Sequence, residues 1–572
     1  MKSISFAILA ATTLMMDAVA DVIDPRVRTY VDPVRVVWQS PPSLYGARRA
    51  VKWADSLAGE KHGQVPEKTW GTPTGCRLEN NGDVPGIILD FGRELHGGIQ
   101  LGFEGNLRLR ARIRFGESVS ETMAELGERG AGNDHAIRDF EIEIPHMGEI
   151  EIGNTGFRFV RIDLVSSGVT TLEYARAVSL MRQMRRVGAF RCSDERLNRI
   201  WETAVDTVQL CCQTYVWDGI KRDRLVWIGD LHPEMSAVLA VFGAQDVVRD
   251  SIEMRSRLTP PDKWMNLSSY NMWWIRCVRD WYFYTGDVDF LRRNADYLRI
   301  VVGHLRKCTG EDGRCMADRP FLDWPSKHNE LAVEAGMQAL LAMAYRSAAE
   351  IESALGDKGR EAILREDYAR SASFRVDPHG SKQAAALLAL ERMRDPKEMF
   401  SQVLCKGGVH GMSTFYGYYM IEAMSNAGET RFAMDAVRDY WGAMLDMGAT
   451  SFWENFDVAW TNGASRIDEI PVPGMKDIHG DFGEFCYPGF RHSLCHGWAS
   501  GPAAWCIRWI LGIRPVEPGC KTIEVKPNLG NLDWAEGALA LPDGGAVHVR
   551  ARKTKDAVSV KIDAPFHVKI VR

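Results

Sequence analysis

Chemistry concentrates between Trp217 and Asp230. Within these fourteen residues stand three carboxylates (Asp218, Asp223, Asp230), three cations (Lys221, Arg222, Arg224) and two tryptophans (Trp217, Trp227). Three other stretches join an acid or a histidine to aromatic rings: Phe321-Leu322-Asp323-Trp324-Pro325, the segment 448–457 with Trp453 and Glu454, and the segment 491–498 with His496 and Trp498. A carboxyl flanked by aromatic rings is partly desolvated, which raises its pKa and suits it to donate a proton near neutral pH. Two such groups on either side of a sugar ring are the minimum for glycoside hydrolysis, and indole faces suit the C–H faces of the sugar. Each residue also has a plainer reading. Asp323 can cap a helix, Glu454 can belong to a buried ion pair, and His496 can be a satisfied core histidine. Asp477, Asp481 and Glu484 invite a calcium reading, but their spacing is not that of an EF-hand loop, so 476–487 reads as a loop lining the site. The sequence gives no reason to expect a metal or a cofactor.

The elements that must position these groups fall into three blocks. Residues 21–188 alternate apolar and polar side chains between Gly-rich turns, as in Gly86–Phe91 and Leu107–Phe115, which predicts a β-sandwich. Within it, the Gly- and Glu-rich excursion 116–139 predicts a loop reaching over something. At Ser193-Asp194 the period changes. Either residue can cap a helix starting at Glu195, and about twelve helices with short connections follow to residue 511. That number predicts an (α/α)6 barrel over 189–511, and no tight repeat favours a solenoid. Residues 512–572 return to alternation and predict a small C-terminal β-domain that must lean on the barrel. The fold class is therefore mainly α with flanking β domains. A helix is expected from Lys221, which would place Asp223, Trp227 and Asp230 on one face at i, i+4 and i+7.

The 572 residues are 45% apolar and 25% charged, with net charge −5. Acids and bases are mixed along the chain, which argues against nucleic acid or an anionic membrane as partner. Eighteen tryptophans beside many carboxylates favour a carbohydrate partner. Lys2, the apolar run 4–16 and Ala18-Val19-Ala20 fit a signal peptide over 1–20, hence export to a periplasm or medium. No other run is long and apolar enough to span a membrane. The twelve cysteines follow no metal spacing. Buried free thiols are the simpler reading, with Cys308 and Cys315 close enough to bridge if the protein is exported.

Several of these motifs resemble the α-L-rhamnosidases of glycoside hydrolase family 78. The family's DCPxRE–RLGWTGD stretch resembles Asp218–Asp230, and its GATTxWERWD stretch resembles Gly448–Asp457. Its S-x-N-H segment resembles Ser493–His496, and its GDW segment resembles Leu322–Trp324. By that resemblance the chain is an exo-acting, inverting glycosidase with Asp223 as general acid and Glu454 as general base. Asp218, Arg222, Trp227, Asp230, Asp323, Trp324 and His496 would line the sugar pocket, with Trp227 and Trp453 as its apolar floor. The chain departs from the pattern at the acid, where the family usually has Glu, and at Gly219-Ile220, where it has Cys-Pro. Asp230 and Glu234 are the nearest substitutes for the acid. The departures leave room for another sugar, such as a uronic acid whose carboxylate Lys221, Arg222 and Arg224 would suit. They also leave room for a trehalase-like enzyme or a non-catalytic carbohydrate-binding protein.

Overall fold

The computed structural model describes residues 23–41, 51–52, 54–59, 75–105, 107–483, 486–555 and 557–572. The expected signal segment 1–20 and Glu484 lie outside the described residues.

The spine of the N-terminal region is the strand Gly86–Gly105. Its alternation turns Ile87, Leu89, Phe91, Leu95, Ile99, Leu101 and Phe103 into one core. It pairs antiparallel with Met147–Leu164 through most of its length. Its other neighbour changes midway, from Arg35–Gln39 to Gly168–Arg182. This exchange, eased by bulges between Asp90 and Leu95 and between Gly97 and Ile99, lets one nine-stranded hydrogen-bonded sheet turn into two layers around its core. The excursion 116–139 is not bare loop. It carries the helix Val119–Met123, capped by Ser118, and leans on the helical region through Val119 N–H to Ile467 O (2.9 Å).

Asp194 accepts from the N–H groups of Arg196 and Leu197 and so caps the first long helix, Glu195–Cys211. Eleven more α-helices follow among the described residues, ending with Gly501–Trp505 and its π-helical continuation to Ile510. Their composition sorts them into two rings. Ile228–Phe242, Glu330–Leu355, Lys382–Leu390 and Gly417–Asn426 are buried nearly all round and pack inside. Asp246–Leu258, Val288–Lys307 and Thr430–Asp446 bury one stripe and face solvent with the other. This is the expected (α/α)6 barrel.

After residue 512 the chain builds a three-stranded sheet from Ile513–Pro515, Thr522–Val525 and Lys569–Val571. A four-stranded sheet takes its edge strand, Ala189–Cys192, from just before the first helix. Its inward residues Leu539, Val547 and Val549 belong to the barrel's own core. No described helix is long and apolar enough to cross a membrane.

Candidate active site

The helix expected from Lys221 does not form. Residues 217–227 are an ordered loop, and the next helix begins at Ile228. Asp223 and Arg224 both take left-handed backbone, φ 50° and 54°, which costs non-glycine residues on the order of 1 kcal/mol each. Contacts within the loop and from outside it outweigh the helical pattern. Asp218 N–H donates to Leu225 O (3.0 Å), and Asp218 Oδ1 accepts from Leu225 N–H (2.9 Å). Lys221 is buried and donates to the carbonyls of Phe490 (2.7 Å) and His492 (2.6 Å), paired with Glu117 (3.1 Å) and Glu121 (3.2 Å). Arg224 donates to Asn154 O (2.9 Å) and His135 O (2.6 Å). The N-terminal sheet packs directly beneath: a Cβ on Gly156 would lie 2.9 Å from Lys221 N. Asp223 and Trp227 still meet, through the fold of the loop rather than helical pitch, with Trp227 Nε1–H donating to Asp223 Oδ2 (3.2 Å).

Arg222 is the centre of the site. Its guanidinium pairs with Glu454 through one nitrogen and donates to Asp223 Oδ1 (3.1 Å) through the other, so one planar fork holds two carboxylates apart. Tyr487 lies 3.5 Å from the guanidinium and supports it by a cation–π contact. Glu454 also accepts from Ser493 N–H (3.2 Å). Burial alone would raise its pKa, but Arg222, with His496 and His492 beside it, holds the carboxyl down to about 2. Its neighbours go the other way. Burial, reinforced by Asp223, pushes Asp218 well above the usual carboxylate range. Burial, reinforced by Asp218 and Glu454, does the same to Asp230, and burial beside Asp230 raises Glu234. His496 lies 3.7 Å from Asp218 and 4.0 Å from Asp230, and burial lowers it to about 3, so it is neutral. Neighbouring carboxyls of one cluster are thus pushed in opposite directions, Glu454 down and Asp218, Asp230 and Glu234 up, which is how environments set acid and base roles apart. Asp223 is the most accessible of these acids, with 14% side-chain exposure against 3% for Asp218, 4% for Asp230 and 1% for Glu454.

The rings form a row. Trp227 meets Tyr270 edge-on at 6.3 Å, Tyr270 meets Phe321 at 6.5 Å, and Phe321 meets Trp324 at 5.1 Å. Asp323 caps the short turn Trp324–Ser326 and binds Ser413, while neighbouring Thr414 binds the Glu454 carbonyl, which ties this segment to the site. Burial raises Asp323 to about 6. Trp453 is fully buried and packs edge-on against Phe456 at 5.5 Å. Trp498 stacks on Phe415 at 4.7 Å and donates to Glu454 O (2.9 Å).

Three residues escaped sequence reasoning. His135 Nδ1 stands 3.2 Å from the Asp223 N–H and 3.5 Å from its Oδ1. Tyr270 donates to Asp230 Oδ1 (3.4 Å), and Tyr487 carries Arg222. Only their loops were marked, 116–139 for His135 and 476–487 for Tyr487. No local pattern singles out the side chains.

The cations credited with binding a uronate carboxylate are committed elsewhere: Lys221 to Glu117 and Glu121, Arg222 to Asp223 and Glu454, Arg224 to two carbonyls. Asp477 and Asp481 take Arg129, at 3.2 and 3.4 Å, in place of calcium. Glu117, Glu121 and His479 are close enough together to hold an ion, but the Lys221 ammonium already supplies the positive charge there. Cys308 and Cys315 are free thiols.

The fold is an (α/α)6 barrel whose acidic cluster is flanked by aromatic rings. The family comparison is more particular. Residues 185–372 match the bacterial α-L-rhamnosidase six-hairpin glycosidase domain, and residues 512–571 match the bacterial α-L-rhamnosidase C-terminal domain. An α-L-rhamnosidase of Formosa agariphila is 23% identical over 463 residues, covering 73% of this chain and 47% of that protein. The family 78 rhamnosidase structure from Bacillus sp. GL1 aligns with a TM-score of 0.72 at 20% identity, over 87% of this chain and 54% of that one. The rhamnosidase from Klebsiella oxytoca with rhamnose bound aligns with a TM-score of 0.66 at 20% identity, over 84% of this chain and 96% of that one. The chain thus spans about half the length of the first two.

Proposed function

We propose that the chain is an exo-acting, inverting glycoside hydrolase that removes terminal α-L-rhamnosyl groups. The observation that carries the reading is the pair of carboxylates on the Arg222 fork. Glu454, kept ionised, activates water as general base, and Asp223, the accessible acid, protonates the glycosidic oxygen. The two carboxyls of an inverting enzyme stand roughly 6.5–9.5 Å apart to admit that water. A fork that holds them apart supports this arrangement. Trp227 and Tyr270 offer apolar surface to the sugar, and Asp218, Asp230 and His496 offer hydrogen bonds.

A second reading makes Asp230 the proton donor, because burial pushes its carboxyl well above the usual carboxylate range. Leaving groups separate the two. Asp223→Asn is expected to lower kcat/KM by about 10²-fold or more on an alkyl rhamnoside, yet far less on a nitrophenyl rhamnoside whose departure needs no proton. Glu454→Gln is expected to lose both. If Asp230→Asn shows the leaving-group dependence and Asp223→Asn does not, the roles are exchanged. If all three keep full turnover, the glycosidase reading fails. Export belongs to the same proposal and rests on the signal-peptide-like pattern of residues 1–20. Activity found only in the cytosolic fraction would refute it.

A further inference from the structure

A cavity of about 440 Å³ lies further along the barrel helices. The inner helices Ile228–Phe242 and Ser268–Thr285, which bring Asp230 and Tyr270 to the acidic site, run on past it, and their later residues His232, Ser236, Arg276 and Asp280 line this cavity. A layer of rings lies among them: His232 stacks on Trp273 at 5.1 Å and on Tyr419 at 5.7 Å. The far wall includes Arg514 and Leu539 from the C-terminal strands.

The hydrogen-bonding balance of its wall is uneven. The carboxylates are engaged. Asp280 takes Arg276 Nε at 2.7 Å, Arg279 Nη1 at 2.8 Å and His232 Nε2 at 3.1 Å. Both Glu391 oxygens are taken by Arg346, at 3.0 and 2.6 Å. Glu422 takes Trp509 Nε1 at 2.8 Å and has Arg508 Nε at 3.4 Å. The cationic donors are not used up. Among the described residues, the two terminal nitrogens of Arg276 have no hydrogen-bond partner, and neither have those of Arg508. Arg276 and Arg508 both line the cavity and keep 19% and 50% side-chain exposure, so their free nitrogens are open to a ligand there. The wall closes its acceptors and leaves guanidinium edges over. A planar N–H edge of that kind fits a carboxylate or other oxoanion in bidentate fashion. The volume falls within the range of small-molecule sites. Arg508, half exposed, leaves the cavity open to solvent on its side.

We propose that this cavity is a second ligand site, separate from the acidic pocket, for a carboxylate-bearing molecule the size of a sugar acid, held by Arg276 and Arg508. The site does not depend on the hydrolytic reading, and titration calorimetry of the whole chain tests it with sodium D-glucuronate as probe. Glucuronate is expected to bind saturably and glucose, its neutral counterpart, not to bind. Glu454→Gln is expected to leave glucuronate affinity intact, which places it outside the acidic pocket. Arg276→Gln is expected to weaken it by about tenfold or more. Because Arg276→Gln also strips a partner from Asp280, Arg508→Gln serves as the second variant, its side chain half exposed and loosely paired. Absence of binding, equal binding of glucose, or binding that neither arginine variant weakens would overturn the proposal, with water satisfying those donors instead.

Discussion

At the scale of single residues the charge balance turns on Arg222. It is the only cation paired to both Asp223 and Glu454 among the described residues, and it is almost wholly buried. Replacing it by Gln leaves Glu454 to its burial, so the carboxyl's pKa, now about 2, rises. The sign follows directly. A depressed carboxyl contributes stability above its unfolded value of 4.5, and that stability is lost only as pH falls through about 2. Arg222→Gln gives up this contribution at neutral pH. The expected cost is about 3–5 kcal/mol, as for a buried pair broken on one side, read from denaturant unfolding at pH 7. In the same variant the acid limb of the pH–rate profile should move to higher pH, because the base must now lose a proton it never held before. A profile with an unmoved acid limb would take Glu454 out of the role of base.

At the scale of elements, long periodic segments were legible and the site loop was not. The cap at Asp194, the inner helices and the strand Gly86–Gly105 follow from local pattern because each buries one face against a core with the same period. The stretch from Lys221 also has a helical pattern, but its conformation is decided by Lys221 reaching Glu117 and Glu121 and by Arg224 reaching two carbonyls of the N-terminal region. Those partners lie more than sixty residues away in sequence, so no local window contains them. The residue types at the pocket could therefore be named from sequence, while their geometry, and His135 altogether, could not. The same contacts yield a prediction. Gly156→Ala would set a Cβ 2.7 Å from the Ile220 side chain and 2.9 Å from Lys221 N, so the loop must shift. A displacement of about 1 Å at a catalytic group costs about 10²-fold, so kcat should fall by that order while the melting temperature changes little. A large drop in melting temperature at unchanged kcat would show that the close approach serves packing alone.

At the scale of the molecule, the C-terminal strands and the barrel are one cooperative body. Ile523, Val525, Leu539, Leu541, Val547 and Val549 belong to the same continuous core as the barrel helices. The strand Ala189–Cys192, which leads into the first helix, finds its partner only in Trp534–Ala540. Tyr284, near the end of an inner helix, donates to Ala540 O (2.6 Å). A buried aliphatic side chain is worth about 1.5–3 kcal/mol, so six of them rival the whole net stability of a domain, about 5–15 kcal/mol. A chain ending at residue 511 would also leave the 189–192 edge and the inner helix end open to water. It is expected to lose its cooperative melting transition and to accumulate as aggregate, although the residues of the acidic pocket all remain. Recovery of a soluble, cooperatively melting and active 1–511 chain would show that the C-terminal sheets are an appendage. Failure of folding, with activity restored when 512–572 is supplied in the same chain, would show that the barrel needs them to close its far end.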